Sequence, residues 1–471
     1  MCGLFFSNTQ RPFSEEAVRG FCAQIARRGP DGSKIVLART KSDRHLAFGH
    51  FLLDVSGMGV TQPISWSSKV GSGLLLFNGE IYNHKDLSFK KYSDSEALQA
   101  AIERFGDLVI DQIDGEFAIL LWDTNTETLT VAVDPFRTKP LFLGRGPSPS
   151  DFGVASYKSA LKFAGFQDIT CIQPNSSLRI KSNGLSLSIE ERHPSGIIFS
   201  YLQTVNSYDR WIDTFIEAVK KRATHGIGIP LVCLSSGYDS GAIALALNLL
   251  EIPYRTISIL GGENQALLRQ RISVNSAVCM EEIVIEGLSS IAQSQIMKQL
   301  SECVESLYYS GGNNIPLASD GGAVGMFAIA EMAQKLGTTF CISGSGADEI
   351  ISDYGYDGKK FTSNSDFGGK FPSNLASIFP WPNFYGKTQR DYLFKEEIVL
   401  GYHGIEGRYP FLDSACVQAF LELSESLKNK EYKAPIAHFL RSNGYPFEEN
   451  KKRGFSPQTP KLRHRLKKLF Q

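Results

Sequence analysis

The sequence predicts an α/β protein of two domains, and three observations support this prediction. The chain has 471 residues, which is long for one hydrophobic core, since domains usually hold roughly 50–250 residues. From residue 206 onward, short apolar strands alternate with helices, a pattern typical of a parallel sheet covered by helices. Two of these strands lead into turns rich in serine and glycine, at residues 235–240 and 343–350. Ligands of such folds bind beyond the carboxyl ends of the strands, so we expect a functional site there.

Composition excludes several classes of protein. The chain is 42% apolar and 21% charged, which is ordinary for a globular protein, and its 49 basic residues balance 49 acidic ones. This balance gives no general attraction for nucleic acid or for a membrane surface. No stretch approaches the ~18 apolar residues of a membrane span, the first residues lack the features of a secretory signal, and the eight cysteines show neither a CxxC pair nor zinc-ligand spacing. We therefore expect a cytoplasmic protein with reduced thiols and no nucleic-acid or membrane partner.

The start of the chain offers a nucleophile. Once Met1 is removed, Cys2 would carry both a thiol and a free α-amine, whose usual pKa of ~7.7–8.0 lets it act as a base for the thiol. A buried terminal cysteine without a function is the plainer interpretation of Cys2 alone. Residues 74–83, LLLFNGEIYN, add the side-chain amide of Asn78 and the N–H of Gly79, which are the components of an oxyanion hole. Ser93 and Glu96 have the spacing of a capping box, which leaves Asp94 free to bind an ammonium group.

Together with the turn RRGPDG at residues 27–32, these motifs resemble those of the class II glutamine amidotransferase domain, MCGI, RGPDG, NGEIYN and SDxE. The resemblance implies a four-layer αββα glutaminase domain of the Ntn-hydrolase type over residues 1–192. It also implies that Cys2 is the nucleophile and that Asn78 and Gly79 form the oxyanion hole. Glu80 and Asp94 would then hold the amino end of glutamine.

One departure from that family concerns the carboxylate of glutamine. Residues 49–56 read GHFLLDVS, whereas the family has GHxRLSIxD with an arginine that binds this carboxylate. Phe51 and Leu52 follow His50 here, with no arginine. Either Arg39 or Arg44 substitutes for it, or glutamine binds weakly and free ammonia is the working nitrogen source.

A linker is predicted at residues 193–205 and the second domain at residues 206–471. The first motif of this domain is LVCLSSGYDSGAIALALNLL at residues 231–250, a strand, a polar turn at residues 235–240 and a helix predicted from Gly241. A helix N-terminus attracts anions, and the serine hydroxyls of the turn add donors. Asp239 is out of place in an anion site unless a divalent cation lies between it and phosphates. An ordinary strand-to-helix turn with a serine cap is the alternative.

The turn resembles the SGGxDS loop of the ATP pyrophosphatases, with Ser236 in place of the first glycine. The resemblance implies a doubly wound parallel-sheet ATP-pyrophosphatase domain that binds ATP and Mg²⁺. The ATP-binding residues predicted on this basis are Leu234, Ser235, Ser236, Gly237, Asp239, Ser240, Ile259, Ser343 and Gly344.

The second turn, SGSGADEI at residues 343–350, resembles the SGEGADE segment of asparagine synthetases. Asp348 would lie at the end of a strand next to that of Asp239, so the two carboxylates would share one metal ion. Ser345 stands where the family has a glutamate, so a carboxylate that could move a proton has become a hydroxyl. GIEGRYPFLD at residues 404–413 also follows the family, with a packing role expected for Arg408. KKRGF at residues 451–455 matches KxGF and places Lys452 where the family has a catalytic lysine.

These motifs, in this order, identify the chain as similar to the asparagine synthetase family. The resemblance implies that Cys2 releases ammonia from glutamine, that ATP adenylates an acceptor carboxylate, and that ammonia crosses an internal passage and displaces AMP. The acceptor would be aspartate or another metabolite, and a homodimer is left open. Two alternatives remain. One is a tailoring amide ligase or cyclase acting on a peptide, sugar acid or other metabolite, which Ser345 favours. The other is a non-catalytic regulatory protein, which the missing arginine after His50 favours.

Overall fold

The structure is a computed structural model that describes residues 1–69, 71–87, 93–192, 198–309 and 315–452. The chain divides into two compact units. The first comprises Met1–Ile198, His225–Ile227 and Gly401–Gly404, and the second comprises Phe199–Thr224, Gly228–Leu400 and Ile405–Gln471. Residues 193–197 of the predicted linker and the RGF part of KKRGF lie outside the described residues. The helices of the described ranges are all too short or too polar to cross a membrane.

In the first unit, the described residues form twelve strands, which build two six-stranded antiparallel sheets. The strands are β1 (Gly3–Thr9), β2 (Gly32–Arg39), β3 (His45–Leu52), β4 (Ile64–Ser67), β5 (Ser72–Ile81), β6 (Gly115–Asp123), β7 (Thr128–Val133), β8 (Phe142–Arg145), β9 (Phe152–Ala155), β10 (Gln167–Cys171), β11 (Ser177–Ser182) and β12 (Leu187–Arg192). The strand order is β10-β8-β9-β1-β3-β2 in one sheet and β12-β11-β7-β6-β5-β4 in the other.

The two sheets pack face to face, because their inward side chains form one apolar core. Leu4 and Phe6 of β1 belong to the same buried cluster as Leu76 of β5 and Leu120 of β6. The helices are α1 (Glu15–Phe21), α2 (Ala23–Ala26), α3 (His84–Leu87), α4 (Asp94–Phe105) and α5 (Lys158–Phe163), with a 3₁₀ turn at Gly106–Gln112. Helices α1, α2 and α5 pack on the first sheet and α4 on the second. The predicted αββα arrangement is confirmed.

The second unit contains a five-stranded parallel sheet with the order β15-β14-β13-β16-β19. Its strands are β13 (Leu231–Cys233), β14 (Tyr254–Ile259), β15 (Cys279–Ile285), β16 (Phe340–Ile342) and β19 (Glu406–Arg408), and β17 (Gly355–Tyr356) pairs with β18 (Lys359–Lys360). Its helices are α6 (Asp209–Thr224), α7 (Tyr238–Leu249), α8 (Gln265–Asn275), α9 (Ser290–Glu302), α10 (Gly321–Lys335), α11 (Pro382–Tyr385), α12 (Lys387–Tyr402), α13 (Ser414–Glu422), α14 (Glu425–Lys428) and α15 (Ala434–Ser442). The predicted parallel-sheet α/β domain is confirmed.

The order of the strands reverses between β13 and β16. The chain runs outward from β13 to β14 and β15, and then returns to place β16 on the other side of β13. Such a reversal opens a crevice at the carboxyl edge of a parallel sheet. The turns that follow β13 and β16 therefore lie side by side.

One boundary differs from the prediction. Helix α7 begins at Tyr238 instead of Gly241, with Gly237 as its extended N-cap residue. Asp239 and Ser240 consequently lie in the first helical turn. The prediction was wrong here because Gly237 and the serines were interpreted as breakers, whereas a glycine before the first helical residue is a favourable cap.

Candidate functional site

Cys2 lies at the start of β1 in the first unit. Its Sγ is 3.8 Å from the carbonyl oxygen of Leu53, to which the thiol donates weakly. The fully buried guanidinium of Arg28 donates from Nε to the carbonyl oxygen of Cys2 at 3.3 Å. These contacts fix the backbone of the predicted nucleophile and leave its side chain partly exposed.

Asn78, on β5, is fully buried, and neither its amide nitrogen nor its amide oxygen has a hydrogen-bond partner among the described residues. A buried unpaired polar group costs about 1–3 kcal/mol, so such an amide is suited to a ligand. Side chains alternate along strands, so Asn78 lies on the same face of β5 as Leu76, and Cys2 follows the same face as Leu4. Leu4 and Leu76 meet in the core between the sheets. The side chain of Cys2 therefore continues the inward face of β1, and that of Asn78 lies on the inward face of β5.

Gly79 is required by the backbone. Its φ is +132°, and a Cβ added there would lie 1.8 Å from the carbonyl oxygen of Glu116. Only glycine fits both conditions. The residue after Asn78 must therefore be glycine for the backbone to adopt this conformation.

Glu80 and Asp94, the predicted holders of the glutamine amino group, already bind a cation in this structure. The Nε2 atom of His225 lies 2.8 Å from Asp94 Oδ2 and 2.9 Å from Glu80 Oε2. Burial alone would lower the pKa of His225, yet the hydrogen bonds and charges of the two carboxylates raise it to about 10. The imidazole is therefore protonated at neutral pH. Asp94 also accepts a hydrogen bond from the N–H of Ile81 at 2.8 Å, and the ring of His84 stacks edge-on against His225.

Neither arginine considered as a substitute for the missing one is available to a substrate carboxylate. Arg44 is 5% exposed, and its guanidinium binds Asn8 and Asp151, with 2.8 Å to Asp151 Oδ1. Arg39 is exposed and ion-paired with Asp43, and it aligns with His45 and Thr9 at the end of β1 opposite Cys2. The first of the two options raised by the sequence is therefore wrong.

In the second unit, the turns after β13 and β16 line a cavity of about 390 Å³. Of the predicted ATP-binding residues, the cavity wall contains Leu234, Ser235, Gly237, Asp239, Ser240, Ser343 and Gly344, and it also contains Asp348 and Lys452. A Cβ on Gly344 would lie 2.8 Å from the Cβ of Asp239, so a glycine is needed where the two turns approach each other.

Ser236 and Ile259 are not part of the cavity wall. The backbone N–H of Ser236 donates to Glu263 Oε2 at 2.6 Å, and its hydroxyl donates to the same oxygen. Ile259 is the buried last residue of β14. The predicted hydroxyl donor of Ser236 is therefore engaged within the protein.

Asp239 and Asp348 converge on one cation, and this cation is the ammonium group of Lys433. Its Nζ lies 2.7 Å from Asp239 Oδ1 and 2.9 Å from Asp348 Oδ1. Lys452 forms a second ion pair with Asp348 Oδ2. Burial alone would raise the pKa of Asp348, but the two ammonium groups hold it below its usual range.

Lys433 belongs to none of the sequence motifs from which the site was predicted. Lys433 precedes α15 with a φ of +50° and a ψ of +48°. A non-glycine residue in the left-handed region costs about 1 kcal/mol or more and is common at functional sites. Arg408, by contrast, is fully buried, and it binds Glu406 and the carbonyl oxygen of Arg222, as a packing role requires.

Comparison with known proteins shows what each part of the chain is similar to. Residues 1–174 match the family model described as glutamine amidotransferase domain. Asparagine synthetase [glutamine-hydrolyzing] 1 of Bacillus subtilis is 25% identical over 402 residues, 75% of this chain and 59% of that protein. Asparagine synthetase [glutamine-hydrolyzing] 3 of Arabidopsis thaliana is 24% identical over 459 residues, 95% of this chain and 74% of that protein. The putative asparagine synthetase [glutamine-hydrolyzing] of Mycobacterium tuberculosis is 28% identical over 373 residues, and this chain spans 55% of its length. The chain thus spans less than two thirds of two of these relatives.

Proposed function

We propose that this chain is an ATP-dependent, glutamine-hydrolysing amide ligase. It is similar over most of its length to the glutamine-hydrolysing asparagine synthetases, and residues 1–174 match a glutamine amidotransferase domain. The observation that carries the proposal is the cluster of two aspartates and two lysines at the strand-order reversal, beside a cavity of about 390 Å³. Lysines beside paired carboxylates at such a crevice suit a polyphosphate and its counter-ion.

In the first unit, the thiolate of Cys2 attacks the side-chain carbonyl carbon of glutamine. The α-amine of the mature chain takes the thiol proton, and the amide of Asn78 and the N–H of Gly79 stabilise the oxyanion. The C–N bond then breaks, ammonia leaves with the proton that the α-amine returns, and water hydrolyses the thioester to release glutamate. Glu80 and Asp94 bind the amino group of glutamine, which must take the place of His225. The site holds no arginine for the carboxylate at the position after His50, so these two carboxylates supply the main charged contacts.

In the second unit, the Ser235–Ser240 turn and Lys452 bind the phosphates of ATP, and an acceptor carboxylate attacks the α-phosphate. Lys452 stabilises the charge that develops on the leaving pyrophosphate. Asp239 and Asp348 already aim oxygens at one shared cation position, which fits Mg²⁺, since this ion prefers oxygen ligands. When bound, Mg²⁺ would neutralise phosphate charge. Ammonia then attacks the acyl-adenylate and AMP leaves.

The proposal is tested by incubating the full chain with glutamine, ATP, magnesium and a panel of carboxylic acids that includes aspartate. Glutamate, AMP and pyrophosphate should appear together with one of these acids. Cys2→Ala should abolish glutamate release and keep the ammonia-driven product, because the second site does not use the thiol. If no acid gives AMP and pyrophosphate, the chain is not a ligase and the non-catalytic alternative takes precedence.

A second candidate has a specific observation in its favour. Ser345 replaces the glutamate of the asparagine synthetases, and its hydroxyl donates to Glu396 at 2.5 Å. The wall of the acceptor cavity therefore differs from that of the family. This difference favours a tailoring ligase whose acceptor is a peptide, sugar acid or other metabolite, and the acid panel separates it from an aspartate-specific enzyme.

A further inference from the structure

Glu396 presents a buried, unpaired carboxylate oxygen at the cavity. It lies on α12, is 6% exposed and forms part of the cavity wall. Its Oε1 accepts a hydrogen bond from the Ser345 hydroxyl at 2.5 Å. Its Oε2 has no hydrogen-bond partner among the described residues. Because a buried oxygen without a partner costs about 1–3 kcal/mol, the arrangement indicates an oxygen kept for a ligand.

The other acidic side chains of the cavity wall all have partners. Glu349 binds the Tyr354 hydroxyl and the N–H of Gly346, the latter at 3.2 Å. Asp320 accepts from the Tyr309 hydroxyl at 2.6 Å and from the N–H of Gly322 at 2.9 Å. Asp239, Asp348 and Glu263 are bound to lysines or to Ser236. Glu396 therefore differs from these carboxylates in having one oxygen available.

The surroundings of Glu396 also favour proton uptake. Burial raises the pKa of Glu396 above its usual value, although the hydroxyls of Ser345 and Ser343 and the charge of Lys395 oppose this. A general base works best when its pKa lies near the working pH. The neighbouring Lys395 is itself directed to Asp320, with its Nζ 3.5 Å from Oδ2.

We propose that Glu396 is the general base of the amide-forming step, and that Ser345 positions it. The inference rests on the proposed ligase function and adds a catalytic residue to it. The lone pair of a nitrogen nucleophile, ammonia or a primary amine, attacks the acyl carbon of the adenylate and forms the C–N bond. The bond from this carbon to the phosphate oxygen breaks, and AMP leaves with the electron pair. The proton lost by the nitrogen goes to Oε2 of Glu396.

This assignment accounts for the replacement at position 345. The asparagine synthetase motif carries its carboxylate on the turn, whereas here the turn carries a hydroxyl and the carboxylate comes from α12. The hydroxyl holds Oε1, so that Oε2 is the carboxylate oxygen without a hydrogen-bond partner among the described residues. An acid-base group thus lies beside the turn in this protein too, but helix α12 carries it and the turn does not.

The test compares Glu396→Gln with the wild type and with Glu397→Gln as a matched control. Glu397 is the next residue of α12, lies outside the cavity wall and accepts from the Tyr409 hydroxyl at 3.1 Å. ATP–pyrophosphate exchange with the acid panel measures adenylation alone. Amide formation is then measured with the active acid and with glutamine, ammonium chloride or methylamine. Glu396→Gln should keep exchange within threefold and lose roughly 10²–10³-fold in amide formation, whereas Glu397→Gln should lose neither.

A second variant tests the positioning role and does not depend on the folding of Glu396→Gln. Ser345→Ala removes a hydrogen bond to the charged carboxylate, so the acid limb of the amide-formation pH profile should move to higher pH, and Ser345→Thr should restore it. Amide formation by Glu396→Gln within threefold of the wild type, an equal loss of exchange and amide formation, or an unmoved limb in Ser345→Ala would each overturn the proposal. Absence of exchange in the wild type with every acid would instead refute the ligase function itself.

Discussion

His225→Ala should lower the KM for glutamine in the glutaminase reaction by roughly 30-fold. In the proposed function, the amino group of glutamine binds the same two carboxylates as His225. They lie 2.8 and 2.9 Å from its Nε2, and their side chains are 14% and 10% exposed. A hydrogen bond to a charged group contributes about 1.5–3 kcal/mol. If the pair of bonds stabilises the closed arrangement by only about 2 kcal/mol net, the open arrangement is populated about one time in 30, and the apparent dissociation constant rises by that factor. Removing the imidazole removes this competition.

The assay is glutamate release at varied glutamine concentration, with kcat and KM determined separately. His225→Lys is the matched control, because it keeps a cation at this position and should keep a high KM. The kcat should stay within a few-fold in both variants, since the two carboxylates that His225 binds are the predicted holders of the amino end of glutamine and not the predicted nucleophile or oxyanion donor. An unchanged KM in His225→Ala would refute the competition. A higher KM would show that the imidazolium instead binds the carboxylate of glutamine, in place of the missing arginine.

Three further results are expected. Asn78→Ala should lower the glutaminase kcat by ~10²–10³-fold, while chemical denaturation should show no loss of stability, because the buried amide has no partner among the described residues. Lys433→Met leaves the partly buried Asp239 and Asp348 without their shared cation, so urea unfolding should show a loss of at most about 3–5 kcal/mol, part of which Asp239→Asn should restore in the double variant. The pKa of His225 is raised from its ordinary value of 6.5 to about 10 in the folded state, so its pairing stabilises fully below pH 6.5 and is lost as the pH rises through about 10. The difference in melting temperature between wild type and His225→Ala should shrink over that range.

The sequence predicted the two folds because the signals for them are local. Alternating strands and helices, and turns of serine and glycine after apolar strands, are visible within windows of about ten residues. The same holds for Cys2, Asn78 and Asp94, each of which belongs to a short motif. The helix boundary at Tyr238 was missed because the serines and Gly237 before it are equally typical of a loop and of a helix cap.

The side chains that sequence reasoning missed act across long separations. His225 binds Asp94 across 131 positions, and Lys433 binds Asp239 across 194. Glu396 meets Ser345 across 51 positions. None of the three belongs to a recognisable motif, and a charged residue at a helix end or on a helix face is usually exposed. Only the tertiary structure shows which side chain each of them meets.

In each unit, the charge of one pair of carboxylates is balanced by one side chain of the protein. A pair of partly buried carboxylates is destabilising without a cation. In each unit a side chain supplies this cation: His225 for Glu80 and Asp94, and Lys433 for Asp239 and Asp348. Binding of a cationic ligand at either pair is therefore an exchange of one cation for another, and its affinity depends on where the displaced side chain goes. Lys433 can turn to the negatively charged phosphates that accompany a metal ion, whereas glutamine brings only one carboxylate to receive the charge of His225. We therefore expect the carboxylate pair of the second unit to accept its ligand more readily than that of the first, so that nucleotide binding is strong and glutamine binding is weak.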